Sequence, residues 1–220
     1  MVTALANGAQ GILPVGEISE ALAVKQRQPK VLLAGERNGV LIGKELTGGM
    51  PFDLGNSPRE FERARVEGKV IAMTTTNGTR ALCACSGAAR TLIGSFLNLQ
   101  VTVEAVCQTD FSQILLVCAG TKEEVAYEDV LCAGAFVDLI LSARGKEGLS
   151  DSAQIAKAAY LGEENHLFWG LSKSRNARRL LADENLQDDV VYCAQLDVLP
   201  LVAELEADGM IRELKNGPVI

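Results

Sequence analysis

Short apolar segments rich in β-branched residues alternate with longer amphipathic segments along most of this chain. Glycine or asparagine stands at many of the junctions, as is typical where one element gives way to the next. Continuous apolar runs are typical of strands that are covered on both faces. The alternation therefore predicts an α/β fold, layered α/β/α with a mostly parallel sheet. It predicts one domain over residues 1–220, or two closely packed subdomains.

The boundaries of the elements follow from the same pattern. The predicted strands are Gly11 to Val15, Val31 to Ala34, Val70 to Thr74, Thr91 to Ile93, Ile114 to Ala119, Val190 to Ala194, and a last strand from Met210 to Lys215. The predicted helices are Ser19 to Arg27, Pro58 to Val66, Thr79 to Ser86, Leu97 to Cys107, Glu128 to Ser142 and Ser174 to Ala182, with weaker helical character between Leu149 and Leu171.

Charge and composition exclude several classes of function. The formal net charge is −7 and the pI is about 4.9, which argues against a nucleic-acid-binding surface. A bound anion must therefore meet local donors, because the chain offers no basic field. The single histidine, His166, excludes every site that needs two, and we expect it to pack partly buried. GxGxxG, P-loop and GxSxG motifs are absent from the sequence.

The sequence also predicts the compartment. No apolar run approaches the roughly 18 residues needed to cross a bilayer, and no export signal is evident at Met1. The six cysteines stand mostly in apolar contexts without a CxxC pair, so we expect reduced core residues. Together these features predict a cytoplasmic protein with no membrane partner.

The first candidate site is the polar turn after the strand that ends at Thr74. Thr75, Thr76, Asn77, Gly78 and Thr79 lie between that strand and a predicted helix. Hydroxyl groups and the free N–H groups of a helix start bind anions without net positive charge, and the following Arg80 would add a charge-assisted contact. The alternative is that the turn only caps the helix.

Two further polar loops stand at the ends of apolar segments. Glu36 and Arg37 directly follow the strand that ends at Ala34, where open parallel sheets bind their ligands, although a solvated turn would look the same. Asn56 and Ser57 follow Phe52 and Asp53 in a tight turn that would open a helix; alone, this pattern is an ordinary Asx turn and cap.

A fourth candidate is the acidic segment before the long predicted helix. Four carboxylates lie between Glu123 and Asp129, after the strand that ends at Ala119. Such a group suits a hard cation such as Mg²⁺, which takes a few carboxylates, water and substrate phosphate. The alternative is that Glu128 and Asp129 only stabilise the first turn of the helix.

These motifs, in this order and spacing, resemble the 2-phosphosulfolactate phosphatase (ComB-like) family over nearly the whole chain. The resemblance rests on Gly35-Glu36-Arg37-x-Gly39, Phe52 to Pro58, Thr75 to Thr79, Cys118-Ala119-Gly120, and Glu128-Asp129-x-x-Cys132-Ala133-Gly134. It implies a ComB-like α/β fold and a Mg²⁺-dependent phosphatase. The implied reaction converts (2R)-2-phospho-3-sulfolactate to 3-sulfolactate and phosphate, a step of coenzyme M biosynthesis.

On this interpretation we assign roles to individual residues. Thr75, Asn77, Gly78 and Thr79 would bind one anionic group of the substrate, and Arg37 with Asn56 and Ser57 would bind another. Glu36 and Asp129 are the candidate catalytic residues, and Glu128 and Asp129 the candidate metal ligands. Attack by water and a covalent intermediate both remain open.

The chain departs from the family pattern at its start. Family members place a strand that ends in an Asp-Val-Leu-Arg-Ala-Thr-like turn before the segment that here begins at Met1, so we expect that N-terminal strand to be missing. The predicted partner is a small, anionic, phosphorylated substrate. We expect no nucleic-acid partner, and the sequence leaves open whether the protein forms a homodimer. The alternative function is a non-catalytic or impaired anion-binding or interaction protein that retains the fold.

Overall fold

A computed structural model describes residues 1–85, 87–145 and 148–215. The chain divides into two compact units, the first comprising Met1–Ile93 with Leu201–Ile220 and the second Gly94–Pro200. Parts of two predictions, the helix end at Ser86 and the turn from Asn216 that follows the last strand, lie outside the described residues. The prediction of one domain or two closely packed subdomains stays a prediction.

The first unit contains the whole β-sheet of the described chain. Its strands are β1 (Gly11–Pro14), β2 (Leu32–Arg37), β3 (Val40–Leu41), β4 (Val70–Thr74), β5 (Thr91–Ile93), β6 (Ala203–Leu205) and β7 (Ile211–Glu213). Its helices are α1 (Val2–Ala6), α2 (Ile18–Arg27), α3 (Lys44–Thr47), α4 (Arg63–Val66) and α5 (Gly78–Ala84), with a 3-10 turn at Pro58–Glu60. The helix predicted from Pro58 to Val66 is therefore two shorter pieces.

The sheet confirms an α/β fold but corrects the expectation of mostly parallel strands. The strand order is β3-β2-β4-β1-β7-β6-β5. Only β2·β4 and β4·β1 are parallel, whereas the other four pairs are antiparallel. The hairpin of β6 and β7 near the chain end supplies most antiparallel pairs, and a two-residue turn allows β3 to fold back on β2. The α/β/α layering stays a prediction.

The parallel strands position the polar loops. Residues 71 to 74 of β4 are buried in succession, as expected for a strand covered on both faces. In the same unit, a cluster of buried residues that includes Ala21, Leu33, Ile42 and Phe52 forms an apolar core. Because β2, β4 and β1 run in the same direction, their carboxyl ends meet at one edge of the sheet.

The described elements of the second unit are all helices, joined by loops. It comprises α6 (Leu99–Cys107), α7 (Tyr127–Arg144), α8 (Asp151–Leu161), α9 (Leu167–Ser172), α10 (Arg175–Leu181) and α11 (Gln187–Cys193), with 3-10 turns at Phe96–Asn98 and Glu164–His166. Its core includes Phe96, Leu99, Leu131, Phe136 and Leu167.

Two predicted strands in this unit are wrong. Residues 190–194 lie mostly in α11, whose buried residues are Asp189 and Val190, and they pair with no strand of the described chain. Residues 114–119 form no strand in the described structure, and Leu115 there is 78% exposed. Short apolar runs do not distinguish a strand from a helix or an extended segment, because only pairing makes a strand.

Other sequence expectations about single residues also need correction. Three cysteines (Cys83, Cys118 and Cys193) are exposed and the other three half-buried, so none is a fully buried core residue, although all six are free. His166 is exposed rather than partly buried. No helix within the described ranges is long and apolar enough to span a membrane.

Gly134 sets the distance between α7 and α8. A Cβ at this position would lie 2.0 Å from the carbonyl oxygen of Ala156 and 2.7 Å from Cβ of Tyr160. We expect Gly134→Ala to lower the free energy of unfolding by about 2 kcal/mol, because overpacking outweighs the gain in helix propensity. Urea denaturation measures the change.

Gly162→Ala provides the matched control. Gly162 is in the same unit, and its Cβ would approach other atoms only to 3.5 Å, which is an ordinary contact. Its free energy of unfolding should change by less than about 0.5 kcal/mol. Equal stability of the two variants would contradict the close contact at Gly134.

Candidate functional site

Arg37 provides a half-buried positive charge at the end of β2. Its Nη1 donates to the carbonyl oxygen of Glu36 at 2.8 Å, and its Nη2 donates to Oγ1 of Thr74 at 3.0 Å. Both acceptors are neutral, and no carboxylate among the described residues forms an ion pair with this guanidinium. A guanidinium has five N–H donors, so Arg37 retains donors for an anion.

Glu36 holds the neighbouring turns together. Its side chain is 6% exposed. Oε1 accepts from the backbone N–H of Thr76 at 2.7 Å, and Oε2 accepts from the N–H of Gly39 at 2.6 Å and from the hydroxyl of Thr76 at 3.1 Å. Both carboxylate oxygens are thus engaged, and they join the turn after β2 to the turn after β4.

The turn after β4 is closed by two reciprocal threonines. The N–H of Thr79 donates to Oγ1 of Thr75 at 3.2 Å, and the N–H of Thr75 donates to Oγ1 of Thr79 at 3.1 Å. Thr79 also donates its own hydroxyl to the carbonyl oxygen of Thr75, and its side chain is fully buried. Thr79 therefore shapes the turn, whereas Thr75, Asn77 and Gly78 are half-buried along it.

Gly35 allows β2 and β4 to approach closely beside these turns. It pairs with Thr74 and has a φ of +152°, a backbone region that side chains rarely adopt. A Cβ on Gly35 would lie 1.9 Å from the carbonyl oxygen of Thr74. The glycine in the Gly35-Glu36-Arg37 motif is thus required by packing.

The loop with Asn56 and Ser57 runs beside β2. Leu54 forms a parallel bridge with Ala34, and its carbonyl oxygen accepts from the N–H of Gly35 at 3.0 Å. The loop therefore continues toward the carboxyl end of β2, where Arg37 lies. Asn56 is exposed and Ser57 half-buried.

In the second unit, Glu128 and Asp129 lie in the first turn of α7 and accept hydrogen bonds from neighbouring segments. Oδ2 of Asp129 accepts from the N–H of Gly120 at 2.7 Å, and Oε1 of Glu128 accepts from Nδ2 of Asn176 at 2.5 Å. Nδ2 of Asn176 also donates to Oγ1 of Thr121 at 2.7 Å. Burial, followed by the charge of Glu128, raises the pKa of the Asp129 carboxyl against the lowering effect of its backbone hydrogen bonds.

The candidate residues thus form two groups, each described within its own unit. Glu36, Arg37 and the Thr75–Thr79 turn are linked by the hydrogen bonds above, and Glu128 is linked to α10. Sequence reasoning missed Thr74 and Asn176 as members of these groups. Thr74 could have been found as the one polar residue ending an apolar run, whereas Asn176 is 48 residues from Glu128 and carries no local signal.

Glu128 and Asp129 fit a Mg²⁺ site only in part. Mg²⁺ commonly takes one or two carboxylates and completes its shell with water and substrate phosphate. Within residues 1–85, 87–145 and 148–215, no group of three or more His, Cys, Asp or Glu side chains is placed to bind a metal ion. The two adjacent carboxylates would therefore leave most of the shell to water and substrate.

Comparisons with known proteins agree with one another. The model of the family described as 2-phosphosulpholactate phosphatase matches residues 1–208. A protein of Caldicellulosiruptor saccharolyticus named "Probable 2-phosphosulfolactate phosphatase" is 39% identical over 210 residues, covering 93% of this chain and 83% of the relative. Proteins of the same name from Clostridium novyi and Clostridium perfringens are 35% and 34% identical; the matches cover 93% and 99% of this chain, and 83% and 85% of the relatives.

Proposed function

Because the chain belongs to the 2-phosphosulfolactate phosphatase family, whose members are phosphoric monoester hydrolases, we propose a specific reaction for it. It hydrolyses (2R)-2-phospho-3-sulfolactate to 3-sulfolactate and inorganic phosphate, with Mg²⁺, as in coenzyme M biosynthesis. The observation that carries this proposal is Arg37, a half-buried cation held by two neutral acceptors beside a hydroxyl-rich turn. We propose the cytoplasm as its location.

The substrate carries three acidic groups, so the site must supply several local donors. The chain itself has a net charge of −7, which gives no general attraction for such a molecule. Arg37 would donate two parallel N–H groups to one anionic group, the geometry in which guanidinium binds most strongly. Thr75, Asn77 and Gly78 would bind another, and Asn56 with Ser57 would complete the set.

Two carboxylates that we proposed as catalytic take different roles. The contacts of Glu36 support a positioning role, because both its oxygens already hold the turns that carry Arg37 and Thr75. Asp129 keeps the catalytic role that we proposed, because as a ligand of the Mg²⁺ ion it would orient the attacking water. Thr79 would contribute indirectly, because its hydrogen bonds with Thr75 hold the turn in place.

Glu128 and Asp129 would hold the Mg²⁺ ion. When bound, the ion would neutralise part of the substrate charge and polarise its phosphoryl oxygens. The hydrogen bond from Asn176 would fix the Glu128 carboxylate in place, and the bond from Gly120 would do the same for Asp129.

Addition of Mg²⁺ should raise the thermal stability of the protein through these carboxylates. A ligand that binds only the folded state stabilises it by about 2.7 kcal/mol at a hundred times its dissociation constant. We therefore expect a rise of several degrees in Tm at saturating Mg²⁺, and little or no rise for Glu128→Gln. Scanning calorimetry of each variant with and without Mg²⁺ measures the two shifts.

Glu123→Gln is the control, because it removes the same charge from an exposed position of the same segment. Its Mg²⁺-induced shift should equal that of the wild-type protein. Equal shifts in all three proteins would show that Glu128 does not bind the ion. Release of phosphate from 2-phospho-3-sulfolactate, measured on the same samples, tests the reaction itself.

A further inference from the structure

The hydroxyl of Thr74 connects the carboxyl ends of three neighbouring strands. Thr74 is the last residue of β4, which lies between β2 and β1 in the sheet, and its side chain is fully buried. Its Oγ1 is 3.0 Å from Nη2 of Arg37, the last residue of β2. The same atom is 3.1 Å from the carbonyl oxygen of Gly16, which follows β1.

The chemistry of the three groups fixes the direction of both hydrogen bonds. A guanidinium has no acceptor, so Thr74 must accept from Arg37. The carbonyl of Gly16 has no donor, so the single proton of the hydroxyl goes to that oxygen. The hydroxyl therefore cannot rotate without losing a partner, and it holds Arg37 from the buried side.

We propose that Thr74 is a positioning residue that prepares Arg37 to bind an anionic group of the substrate. This inference rests on the proposed function, in which Arg37 makes that contact. A long arginine side chain loses rotational freedom when it binds an anion, and a side chain that is already held loses less. Thr74 thus improves binding without touching the substrate.

Thr74→Val tests this role, because valine has nearly the same shape but neither donates nor accepts. We expect the dissociation constant for inorganic phosphate, measured by calorimetry, to rise about tenfold. KM for 2-phospho-3-sulfolactate should rise by a similar factor, while kcat changes less than about threefold. Thr74→Ser keeps the hydroxyl and should stay within about twofold of the wild-type protein in both measurements.

Thr102→Val controls for the loss of a buried hydroxyl as such. Thr102 is 3% exposed, donates to the carbonyl oxygen of Asn98 at 2.7 Å and accepts from its amide at 3.0 Å, so it loses the same two kinds of bond. We expect it to lose stability but to keep the phosphate affinity. If Thr74→Val does not fold, Thr74→Cys replaces it, because a thiol is a weaker donor and acceptor than a hydroxyl. We expect the same rise in the dissociation constant for phosphate from that variant.

A double-mutant cycle with Arg37→Ala separates positioning from general damage. In that background, Thr74→Val should change the phosphate affinity less than twofold, because the group that it positions is gone. An unchanged affinity in Thr74→Val, or an equal loss with and without Arg37, would overturn the inference. If the wild-type protein binds phosphate but releases none from the substrate, the proposed reaction fails, and the affinities still decide the role of Thr74. A wild-type protein that binds no phosphate would overturn both.

Discussion

Arg37→Ala should lower kcat/KM for 2-phospho-3-sulfolactate by at least about a hundredfold. A hydrogen bond to a charged group contributes about 1.5 to 3 kcal/mol, and a hundredfold loss corresponds to about 2.8 kcal/mol. The free energy of unfolding should change by less than about 1.5 kcal/mol, because the two bonds of Arg37 within the protein end on neutral oxygens. Steady-state phosphate release and urea denaturation measure the two effects.

Two further variants sharpen this result. Arg37→Lys keeps the charge but loses the planar fork, so we expect an intermediate loss of about tenfold. Arg63→Ala removes an arginine of the same unit whose ion pair with Glu67 is more than half exposed, and it should leave kcat/KM unchanged. Equal activity of Arg37→Ala and Arg63→Ala would remove Arg37 from the site.

Gly35→Ala should damage the fold and the activity together. The new Cβ would overlap the carbonyl oxygen of Thr74, so β2 and β4 must separate beside the site. Overpacking costs about 1 to 3 kcal/mol and a backbone conformation that disfavours side chains costs a similar amount, which gives a loss of about 4 kcal/mol in the free energy of unfolding. Activity should fall more than tenfold under conditions in which the variant is still folded, because Glu36 and Arg37 move with the strand.

Gly87→Ala is the control for this variant. Gly87 lies in the same unit, has no atom within 4 Å of the position of an added Cβ, and does not need a positive φ. It should keep both stability, within about 0.5 kcal/mol, and activity. If Gly35→Ala unfolds at the same urea concentration as Gly87→Ala, the close approach of the two strands is wrong.

The sequence predicts the parallel part of this fold well. The strands near residues 11, 32 and 70 are continuous apolar runs, and the polar residues that follow them lie where parallel strands place their ligands. The place of Glu36 and Arg37 directly after an apolar strand, together with the family resemblance, predicts them as site residues. The sequence also predicts β5 and the region of β7, but it misses β6 and the antiparallel pairing, because β6 is short and pairs with β5, more than 100 residues earlier.

The roles of the side chains were harder to predict than their positions. Glu36 has the residue type of a catalytic group, but its partners Gly39 and Thr76 engage both oxygens. Thr74 bonds to Arg37, which is 37 positions away in the sequence, and to Gly16, which is 58 positions away. No local sequence pattern reveals such contacts. Such contacts depend on the register between strands, and one sequence does not specify it.

The release of inorganic phosphate from (2R)-2-phospho-3-sulfolactate by the purified wild-type protein tests the central claim most directly. We expect saturable turnover that requires Mg²⁺, is lost on chelation, and falls at least about a hundredfold in Arg37→Ala. Circular dichroism and phosphate calorimetry on the same sample establish that the protein is folded and binds the anion. Folded protein that binds phosphate but shows no turnover with Mg²⁺ would contradict the claim and favour a non-catalytic anion-binding protein.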